Sequence, residues 1–269
     1  MIGGDTELVA IVGSPISQVK SPKNFNAWFA KNELNLAMIA IDMREQALDA
    51  FLDSLRGWQN LRGCVVTVPY KQMIATRLDI LSERARALRS VNVIRREADG
   101  RLVGDNVDGE GFLNAARQHQ FQARGKSALV VGSGGVGSAI AYALCQEGAR
   151  RLTISDVSGE RTQALLGLLV EAFPSVTLGS EVDSLEGYDL VVNATPVGMG
   201  GSGELPLDAA LLATLRPGTL VADVVTSPEI TPLLAFARDR QCPIQTGPEM
   251  AFAQMGNLGH FMGVTPLNI

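Results

Sequence analysis

The sequence predicts an α/β protein of two domains, and three observations support this fold class. Short apolar, strand-like runs alternate with helix-like stretches almost throughout the chain, which is typical of proteins built on parallel sheets. This alternation restarts after the polar connector "FQARGKS" at residues 121–127. A length of 269 residues is enough for two ordinary hydrophobic cores. We predict a first domain over residues 1–106, completed by a C-terminal helix at 247–269, and a second domain over 107–246.

The first half of the chain begins with alternating strands and helices and closes with a hairpin and a further helix. In chain order the first five predicted elements are strand Leu8–Gly13, helix 22–32, strand Leu36–Asp42, helix 45–56 and strand Gly63–Val68. Residues 98–100, Ala-Asp-Gly, form a turn between two short extended runs, which predicts a β-hairpin. A helical pattern from Asp108 to about His119 then leads into the connector.

Composition and charge restrict the classes of partner. A net charge of −5 without any run of Lys or Arg argues against nucleic-acid binding. No apolar run approaches the ~18 residues of a membrane span, and the N-terminus lacks a basic and then apolar leader. Cys64, Cys145 and Cys242 lie far apart in apolar contexts, so we expect reduced core cysteines in a cytoplasmic protein. We expect a small-molecule substrate, and a homodimer is left open.

The segment "VVGSGGVGSAIAYAL" carries the main motif of the second half. Its glycines follow the G-x-G-x-x-G spacing, directly after the apolar strand Ala128–Val131 and at the start of a helix. In that context the backbone approaches a pyrophosphate closely, and the helix N-terminus supplies N–H groups. The segment predicts a doubly wound, Rossmann-type dinucleotide-binding domain, the alternative being a tight glycine turn without a ligand. The predicted cofactor-binding residues of the turn are Gly132, Gly134, Gly135, Val136 and Gly137.

Asp156 ends the next predicted strand, Arg151–Asp156, about 20 residues after the first glycine. A carboxylate there accepts hydrogen bonds from both hydroxyls of the adenosine ribose and repels a 2′-phosphate. This predicts NAD as the preferred cofactor over NADP. Two alternatives stay open: Asp156 caps the following helix, or the nearby Arg161 weakens the discrimination.

Lys71 follows the predicted strand in "CVVTVPYKQ", after a proline that ends it. Strand ends are where chemistry sits in α/β proteins, so Lys71 is a candidate proton carrier; alternatively it opens the next helix and points into water. Asp108 in "GDNVDGEGF" either caps its helix or pairs with an ammonium group. His119 and His260 are poor rival bases, and no His, Cys, Asp and Glu residues are grouped at metal-ligand spacing, so no metal is expected.

Seven segments together carry a resemblance to a known family. In chain order they are "GSPISQVKSP", "GCVVTVPYKQ", "SVNVI", "GDNVDGEGF", "GSGGVGSA", "VNATPVGM" and "GPEMAFAQ". Their order resembles that of the shikimate dehydrogenase family, including its quinate/shikimate relatives, from about residue 9 to residue 260. The resemblance implies two domains with the active site in the cleft between them. It also implies hydride transfer between a nicotinamide cofactor and a secondary alcohol of shikimate, quinate or a related cyclic polyol carboxylate.

The resemblance also implies roles for individual residues. Lys71 and Asp108 resemble the catalytic pair, in which the lysine gives and takes the proton and the carboxylate positions it. From the residue types alone, Asp108 could itself share that proton. The implied substrate-binding residues are Ser21, Thr67, Asn92, Thr226 and Gln254. The implied residues around the nicotinamide and its ribose are Asn193, Ala194, Thr195, Pro196, Met199, Val224 and Gly247.

Several positions depart from the family pattern on the substrate side. Gln18 and Val19 replace a His-Ser pair, so a hydroxyl expected on the substrate carboxylate is absent at Val19. Val107 stands where a threonine is common, and Thr226 where the family typically has a tyrosine. Each hydrogen bond lost to a charged group costs roughly 1.5–3 kcal/mol, unless Ser21 or a backbone N–H compensates. We therefore predict retained chemistry with an altered substrate pocket.

Two other functions stay open as alternatives. One is a folate-type dehydrogenase of the same two-domain architecture, which also uses a lysine; "GDNVDG" and Gln254 argue against it. The other is an NAD-binding sensing or regulatory module without turnover. The intact pair of Lys71 and Asp108 argues against this alternative, and the altered carboxylate motif keeps it open.

Overall fold

The computed structural model describes residues 2–269, which form twelve strands and eleven α-helices. The strands are β1 Glu7–Gly13, β2 Leu36–Asp42, β3 Leu61–Val66, β4 Ile80–Leu81, β5 Val93–Arg96, β6 Leu102–Asp105, β7 Ser127–Val131, β8 Arg151–Ser155, β9 Thr177–Gly179, β10 Leu190–Asn193, β11 Leu220–Asp223 and β12 Ile244–Gln245. The helices are α1 Ser21–Lys31, α2 Leu48–Gly57, α3 Lys71–Ala75, α4 Glu83–Leu88, α5 Asp108–Gln118, α6 Gly135–Gln146, α7 Gly159–Ala172, α8 Ala209–Leu212, α9 Pro232–Asp239, α10 Gly247–Ala253 and α11 Met255–Phe261. Short 3₁₀ turns lie at Glu45–Ala47 and Met199–Gly201.

The chain divides into two compact units, each built on its own sheet. Unit 1 comprises the chain up to Val107 together with Gln254–Ile269, and unit 2 comprises Asp108–Ala253. The predicted α/β class with two sheet-containing bodies is confirmed. In the structure the C-terminal segment of unit 1 begins at Gln254, seven residues after the predicted start at 247, because α10 packs against α5 within unit 2.

The sheet of unit 1 is mixed and has the order β2-β1-β3-β5-β6-β4. β1 runs parallel to β2 and β3, whereas β5 pairs antiparallel with both β3 and β6. The predicted hairpin is therefore present as β5 and β6. Successive residues of a strand face opposite sides, and β1 accordingly supplies Ala10 and Val12 to one apolar cluster and Val9 and Ile11 to another.

The turn after β3 presents the predicted catalytic lysine. β3 ends at Val66, two residues earlier than predicted, because Pro69 has no N–H for a sheet hydrogen bond and the chain turns away. The N–H of Thr67 still donates to the carbonyl of Val12 at 2.9 Å, and the N–H of Tyr70 donates back to Thr67 at 3.0 Å. This turn delivers Lys71 as the first residue of α3.

The sheet of unit 2 is wholly parallel and has the order β12-β11-β10-β7-β8-β9. From β7 the chain builds outward through β8 and β9, then returns to the other side of β7 for β10, β11 and β12. The strand order thus reverses between β7 and β10. In open parallel sheets, ligands bind beside the carboxyl ends of the strands at such a reversal.

The C-terminal segment forms two helices and not the single one predicted. α10 ends at Ala253 and α11 begins at Met255, with Gln254 between them. α11 contacts α1 and β5 of unit 1. Its Met255 and Leu258 are buried in the apolar cluster that contains Val9 and Ile11.

All three cysteines are free and buried. Burial raises the pKa of each thiol, to about 12 for Cys145, so they are neutral core groups at physiological pH. Among residues 2–269, no helix has the length and apolar character to cross a membrane.

Candidate functional site

The glycine turn of unit 2 lies at the carboxyl end of β7, beside the reversal in strand order. Gly132 has a φ of +103°, a conformation that side chains other than glycine rarely adopt. A Cβ at Gly137 would overlap the carbonyl oxygen of Gly132, so the first turn of α6 packs directly on the loop. No side chain caps α6. Its first N–H groups are therefore placed to bind an anion.

A cavity of about 400 Å³ lies next to this turn. Its lining residues are Val131, Gly132, Gly134, Ser155, Asp156, Val157, Arg161, Ala194, Thr195, Pro196, Val197 and Pro206. The cavity therefore joins three parts of the predicted cofactor site: the glycine turn, the acid after β8 and the loop after β10. A volume of this size lies within the usual range of ligand pockets. The combination of a close-packed glycine turn, a helix N-terminus and an acid fits a dinucleotide.

Asp156 follows β8 and lies against the glycine turn. One carboxylate oxygen accepts hydrogen bonds from the N–H (2.6 Å) and the hydroxyl (2.9 Å) of Ser133. The other accepts from the N–H of Ser158 (2.8 Å) and from the Arg161 guanidinium (2.9 Å). Burial alone raises the pKa of such a carboxyl, but these four hydrogen bonds outweigh it and lower the pKa of Asp156 to about 2. The carboxylate is therefore charged at physiological pH.

Asp156 is not the N-cap residue of α7. The cap of α7 is Ser158, whose hydroxyl accepts a hydrogen bond from the N–H of Arg161. Asp156 instead joins the glycine turn to the start of that helix. Arg161 reaches the same carboxylate from a side chain that is 57% exposed, so a cation also borders the candidate ribose site.

The loop after β10 and the loop after β11 contain the other predicted cofactor residues. Asn193 is fully buried, and Ala194, Thr195 and Pro196 line the cavity. Val224 follows β11, and its N–H donates to the carbonyl of Asn193 at 3.0 Å. The predicted cofactor residues outside the lining of this cavity are Gly135, Val136, Gly137, Asn193, Met199, Val224 and Gly247. The predicted substrate residue Thr226 also lies outside the lining.

Lys71, Thr67 and Ser21 lie on unit 1 at positions where strands give way to helices. Thr67 and Lys71 flank the turn between β3 and α3, and Ser21 is the first residue of α1. All three are partly exposed. The N–H of Val91 donates to the carbonyl of Lys71 at 2.9 Å, which fixes the backbone of the lysine next to Asn92.

Asn92 is buried and links the strands of unit 1 to the residue before Asp108. Its carbonyl accepts from the N–H of Val66 at 2.7 Å, and its N–H donates to the carbonyl of Asp105 at 2.9 Å. Its side-chain oxygen accepts from the N–H of Val107 at 2.9 Å. Asp108 itself begins α5 of unit 2 and is 4% exposed. A carboxylate in the first turn interacts favourably with the helix dipole.

The sequence did not predict the ion pair between Arg84 and Asp105, which supports the segment between β6 and α5. Asp105 is 4% exposed, and Arg84 donates to both of its carboxylate oxygens, at 2.7 and 2.5 Å. The hydroxyl of Ser82 and the N–H of Asn106 donate to the same carboxylate. The signal available was that Asp105 ends an apolar strand run, since an acid buried there requires partners.

Three of the positions that depart from the family pattern make local contacts within unit 1. Val19 packs against the apolar cluster around Phe25, and Val107 is buried within the same cluster. The side chain of Gln18 donates to the carbonyl of Pro15 at 2.7 Å. The loop before α1 is therefore anchored by apolar packing at the position where a hydroxyl was expected.

The histidines and the remaining acids show no competing centre. His119 lies 3.2 Å from a carboxylate oxygen of Glu249 in unit 2, and His260 is exposed at the end of α11. Gln254 is partly exposed between α10 and α11. Within residues 2–269, no three His, Cys, Asp or Glu side chains lie together as metal ligands would.

Comparisons with known proteins give a consistent result. A profile described as "Shikimate dehydrogenase substrate binding domain" matches residues 11–94. Shikimate dehydrogenase (NADP(+)) of Rubrobacter xylanophilus is 38% identical over 246 residues, covering 89% of this chain and 84% of the relative. The enzyme of the same name from Rhodospirillum rubrum is 37% identical, covering 88% and 85%.

Solved structures agree in fold. Shikimate 5-dehydrogenase from Listeria monocytogenes, in complex with shikimate and NAD, has a TM-score of 0.90 at 27% identity, covering 98% of this chain and 94% of that one. Quinate dehydrogenase from Corynebacterium glutamicum, in complex with NAD, has a TM-score of 0.85 at 30% identity, covering 96% and 93%.

Proposed function

The chain belongs to the shikimate dehydrogenase family, and on that premise we propose that it is an oxidoreductase using a nicotinamide dinucleotide. Its substrate is a secondary alcohol of shikimate, quinate or a closely related cyclic polyol carboxylate. The observation that carries the proposal is the cavity in which the glycine turn, Asp156 and the loop 194–197 meet. These are the parts that a dinucleotide requires for its pyrophosphate, its ribose and its reactive end.

In this proposal Lys71 carries the proton and Asp108 positions the lysine. In the oxidation direction the alcohol loses its hydroxyl proton to the neutral amine of Lys71 and its carbon-bound hydrogen as hydride, which leaves a ketone. A bound nicotinamide supplies the hydride acceptor. In reduction the Lys71 ammonium returns the proton to the developing alkoxide. Asp108 is the proposed positioning partner of that amine.

The surroundings of each residue within its own part of the chain support these roles. The turn after β3 and the hydrogen bond from Val91 fix the backbone of Lys71 at the end of a buried strand. The side-chain oxygen of Asn92 accepts a hydrogen bond from the N–H of Val107, one residue before Asp108. Thr67, Asn92, Ser21 and Gln254 are the proposed ligands of the ring hydroxyls and the carboxylate. Thr226 completes the proposed substrate set from the loop after β11.

NAD is the proposed preference over NADP. The ionised Asp156 carboxylate supports it, because a negative charge beside the ribose repels a 2′-phosphate. The two curated relatives above carry NADP(+) in their names, and the Listeria and Corynebacterium structures contain NAD. Arg161, exposed beside Asp156, is the group through which NADP would still bind.

The cell compartment and self-association belong to the same proposal. We propose a cytoplasmic enzyme, which its three free, buried cysteines support, because thiols stay reduced there. A homodimer stays a prediction that sedimentation of the purified chain tests.

Lys71→Ala tests the mechanism. We expect kcat to fall by roughly 10²–10⁴-fold, the usual contribution of a positioned acid–base group, while NADH still binds. The reduction of NAD or NADP is followed with shikimate, quinate and amino-substituted analogues. Lys31→Ala is the matched control, since Lys31 is exposed at the last turn of α1.

Three results would decide against parts of this proposal. Unimpaired turnover by Lys71→Ala would contradict the proposed role of Lys71 in proton transfer. Binding of NADH by the wild type without turnover of any polyol acid would favour the sensing module. A tenfold preference for NADP, about 1.4 kcal/mol, would overturn the NAD assignment.

A further inference from the structure

Asn193 and Asp223 face each other at the carboxyl ends of two neighbouring strands. β10 and β11 run parallel, and their register pairs Asn193 with Asp223. Both residues are buried, with exposed fractions of 0% and 2%. The side-chain nitrogen of Asn193 lies 3.1 Å from each carboxylate oxygen of Asp223.

The amide of Asn193 is fully used inside the protein. Its oxygen accepts from the N–H of Thr195 at 3.1 Å and from the Thr195 hydroxyl at 2.6 Å. Its nitrogen also donates to the carbonyl of Val197 at 3.0 Å. Asn193 therefore anchors the loop 194–197 through hydrogen bonds, and this loop lines the candidate cofactor cavity.

Asp223 holds the neighbouring loop in the same way. One of its oxygens accepts from the N–H of Val225 at 3.0 Å, and the other accepts from the hydroxyl of Thr231 at 2.7 Å. Thr231 in turn caps α9 by accepting from the N–H of Leu234. The carboxylate thus joins three segments: the end of β10, the loop after β11 and the start of α9.

The chemistry of these contacts requires an acceptor at position 223. Asn193 and Val225 present N–H groups, which can only donate, and the Asn193 amide faces both oxygens of residue 223. The Thr231 hydroxyl donates to the second oxygen while it accepts from the N–H of Leu234. A carboxylate accepts at both oxygens, whereas a carboxamide would turn an NH₂ group toward one of these donors. A buried donor left facing another donor costs more than the lost hydrogen bond itself.

We infer that Asp223 is a positioning residue for the nicotinamide end of the dinucleotide, acting through Asn193 and Thr231 on the loops 194–197 and 224–226. The inference rests on the proposed function, because it assumes that the cavity holds a dinucleotide. We call Asn193, Asp223 and Thr231 the Asp223 cluster. The Asp223 cluster holds the loops 194–197 and 224–226 in the arrangement that binds the cofactor.

Asp223→Asn tests the inference, with Asp189→Asn as the matched control. Asp189 lies at the opposite end of the same sheet, where it accepts from the N–H of Ser127 at 2.9 Å and from Lys126 at 2.9 Å. Both substitutions remove a carboxylate that anchors a strand of unit 2, and only one of them lies beside the cavity. Binding of NADH and of ADP is measured by fluorescence and calorimetry, together with KM and kcat.

For Asp223→Asn we expect the Kd for NADH and the KM for the oxidised cofactor to rise at least tenfold. The Kd for ADP should change less than threefold, because ADP lacks the nicotinamide half. Asp189→Asn should lower the thermal midpoint and leave both affinities unchanged. Equal losses for NADH and ADP, or none in a folded Asp223→Asn protein, would overturn the inference.

A second pair of variants keeps the test decisive if Asp223→Asn does not fold. Thr231→Val removes the hydroxyl at nearly constant volume, and Thr231→Ser retains it. We expect weaker NADH binding and unchanged ADP binding in Thr231→Val, and wild-type behaviour in Thr231→Ser. If both bind NADH as the wild type does, the inference fails while the proposed function stands. If the wild type binds neither NADH nor NADPH, the proposed function fails as well.

Discussion

At the scale of single residues, two acids at strand ends of unit 2 have pKa values shifted in opposite directions. Asp156 receives four hydrogen bonds, one of them from a guanidinium, and its pKa is lowered to about 2. Burial raises the pKa of Asp223, and the donors Thr231, Val225 and Asn193 offset part of that rise. The first acid is a charge at the edge of the cavity, and the second is a buried carboxyl group held by hydrogen bonds inside the fold.

The charge of Asp156 predicts how the cofactor preference responds to mutation. In Asp156→Asn the negative charge is lost and Arg161 loses its ion-pair partner. We expect the ratio of kcat/KM for NAD to that for NADP to fall at least tenfold, or about 1.4 kcal/mol. Asp208→Asn is the control, because Asp208 caps α8 at an exposed position in the same unit. An unchanged ratio in Asp156→Asn would contradict the role given to this acid.

The same group predicts a contribution to acid unfolding. Because the folded-state pKa of Asp156 lies near 2 and the ordinary value is 3.8, its stabilising effect is fully present above about pH 4. It is lost as the pH falls through about 2, and it amounts to about 2 kcal/mol. Urea unfolding of the wild type and Asp156→Asn between pH 5 and pH 2 should show the stability difference shrink toward low pH. A difference independent of pH would show that the charge is not responsible.

At the scale of elements, the loops after β7, β8 and β10 supply the lining of one cavity. Parallel strands place their carboxyl ends at one edge of the sheet, so residues far apart in sequence meet there. The turn between β7 and α6 is the tightest part of this arrangement, because Gly137 lies directly against Gly132.

Gly137→Ala tests the packing of that turn. The added Cβ would overlap the carbonyl of Gly132, and relieving this overlap costs about 1–3 kcal/mol. We expect a lower free energy of unfolding and weaker NADH binding. Gly159→Ala is the control, since a Cβ there meets nothing within 4 Å. Wild-type NADH affinity in Gly137→Ala would show that the close approach is not needed for binding.

At the scale of the whole molecule, patterns of residues close in sequence predicted most strands and helices. They did not predict the buried polar contacts. The alternation of strands and helices, the hairpin of β5 and β6 and the glycine turn all follow from residues close in sequence. Pro69 ended β3 two residues before the predicted limit, and Gln254 separates two helices that a periodic pattern merges. The pairing of Asn193 with Asp223 was not predictable, because it depends on the register between two strands thirty residues apart in the chain.

The return of α11 to unit 1 has a consequence for biosynthesis. One face of the first sheet is completed by Met255 and Leu258, which follow all of unit 2 in the chain. Unit 2 is a continuous stretch of chain, so all of its residues have been translated before those side chains exist. The apolar layer of unit 1 therefore stays incomplete until the whole of unit 2 has been translated, and removing α11 will expose strand residues near the start of the chain.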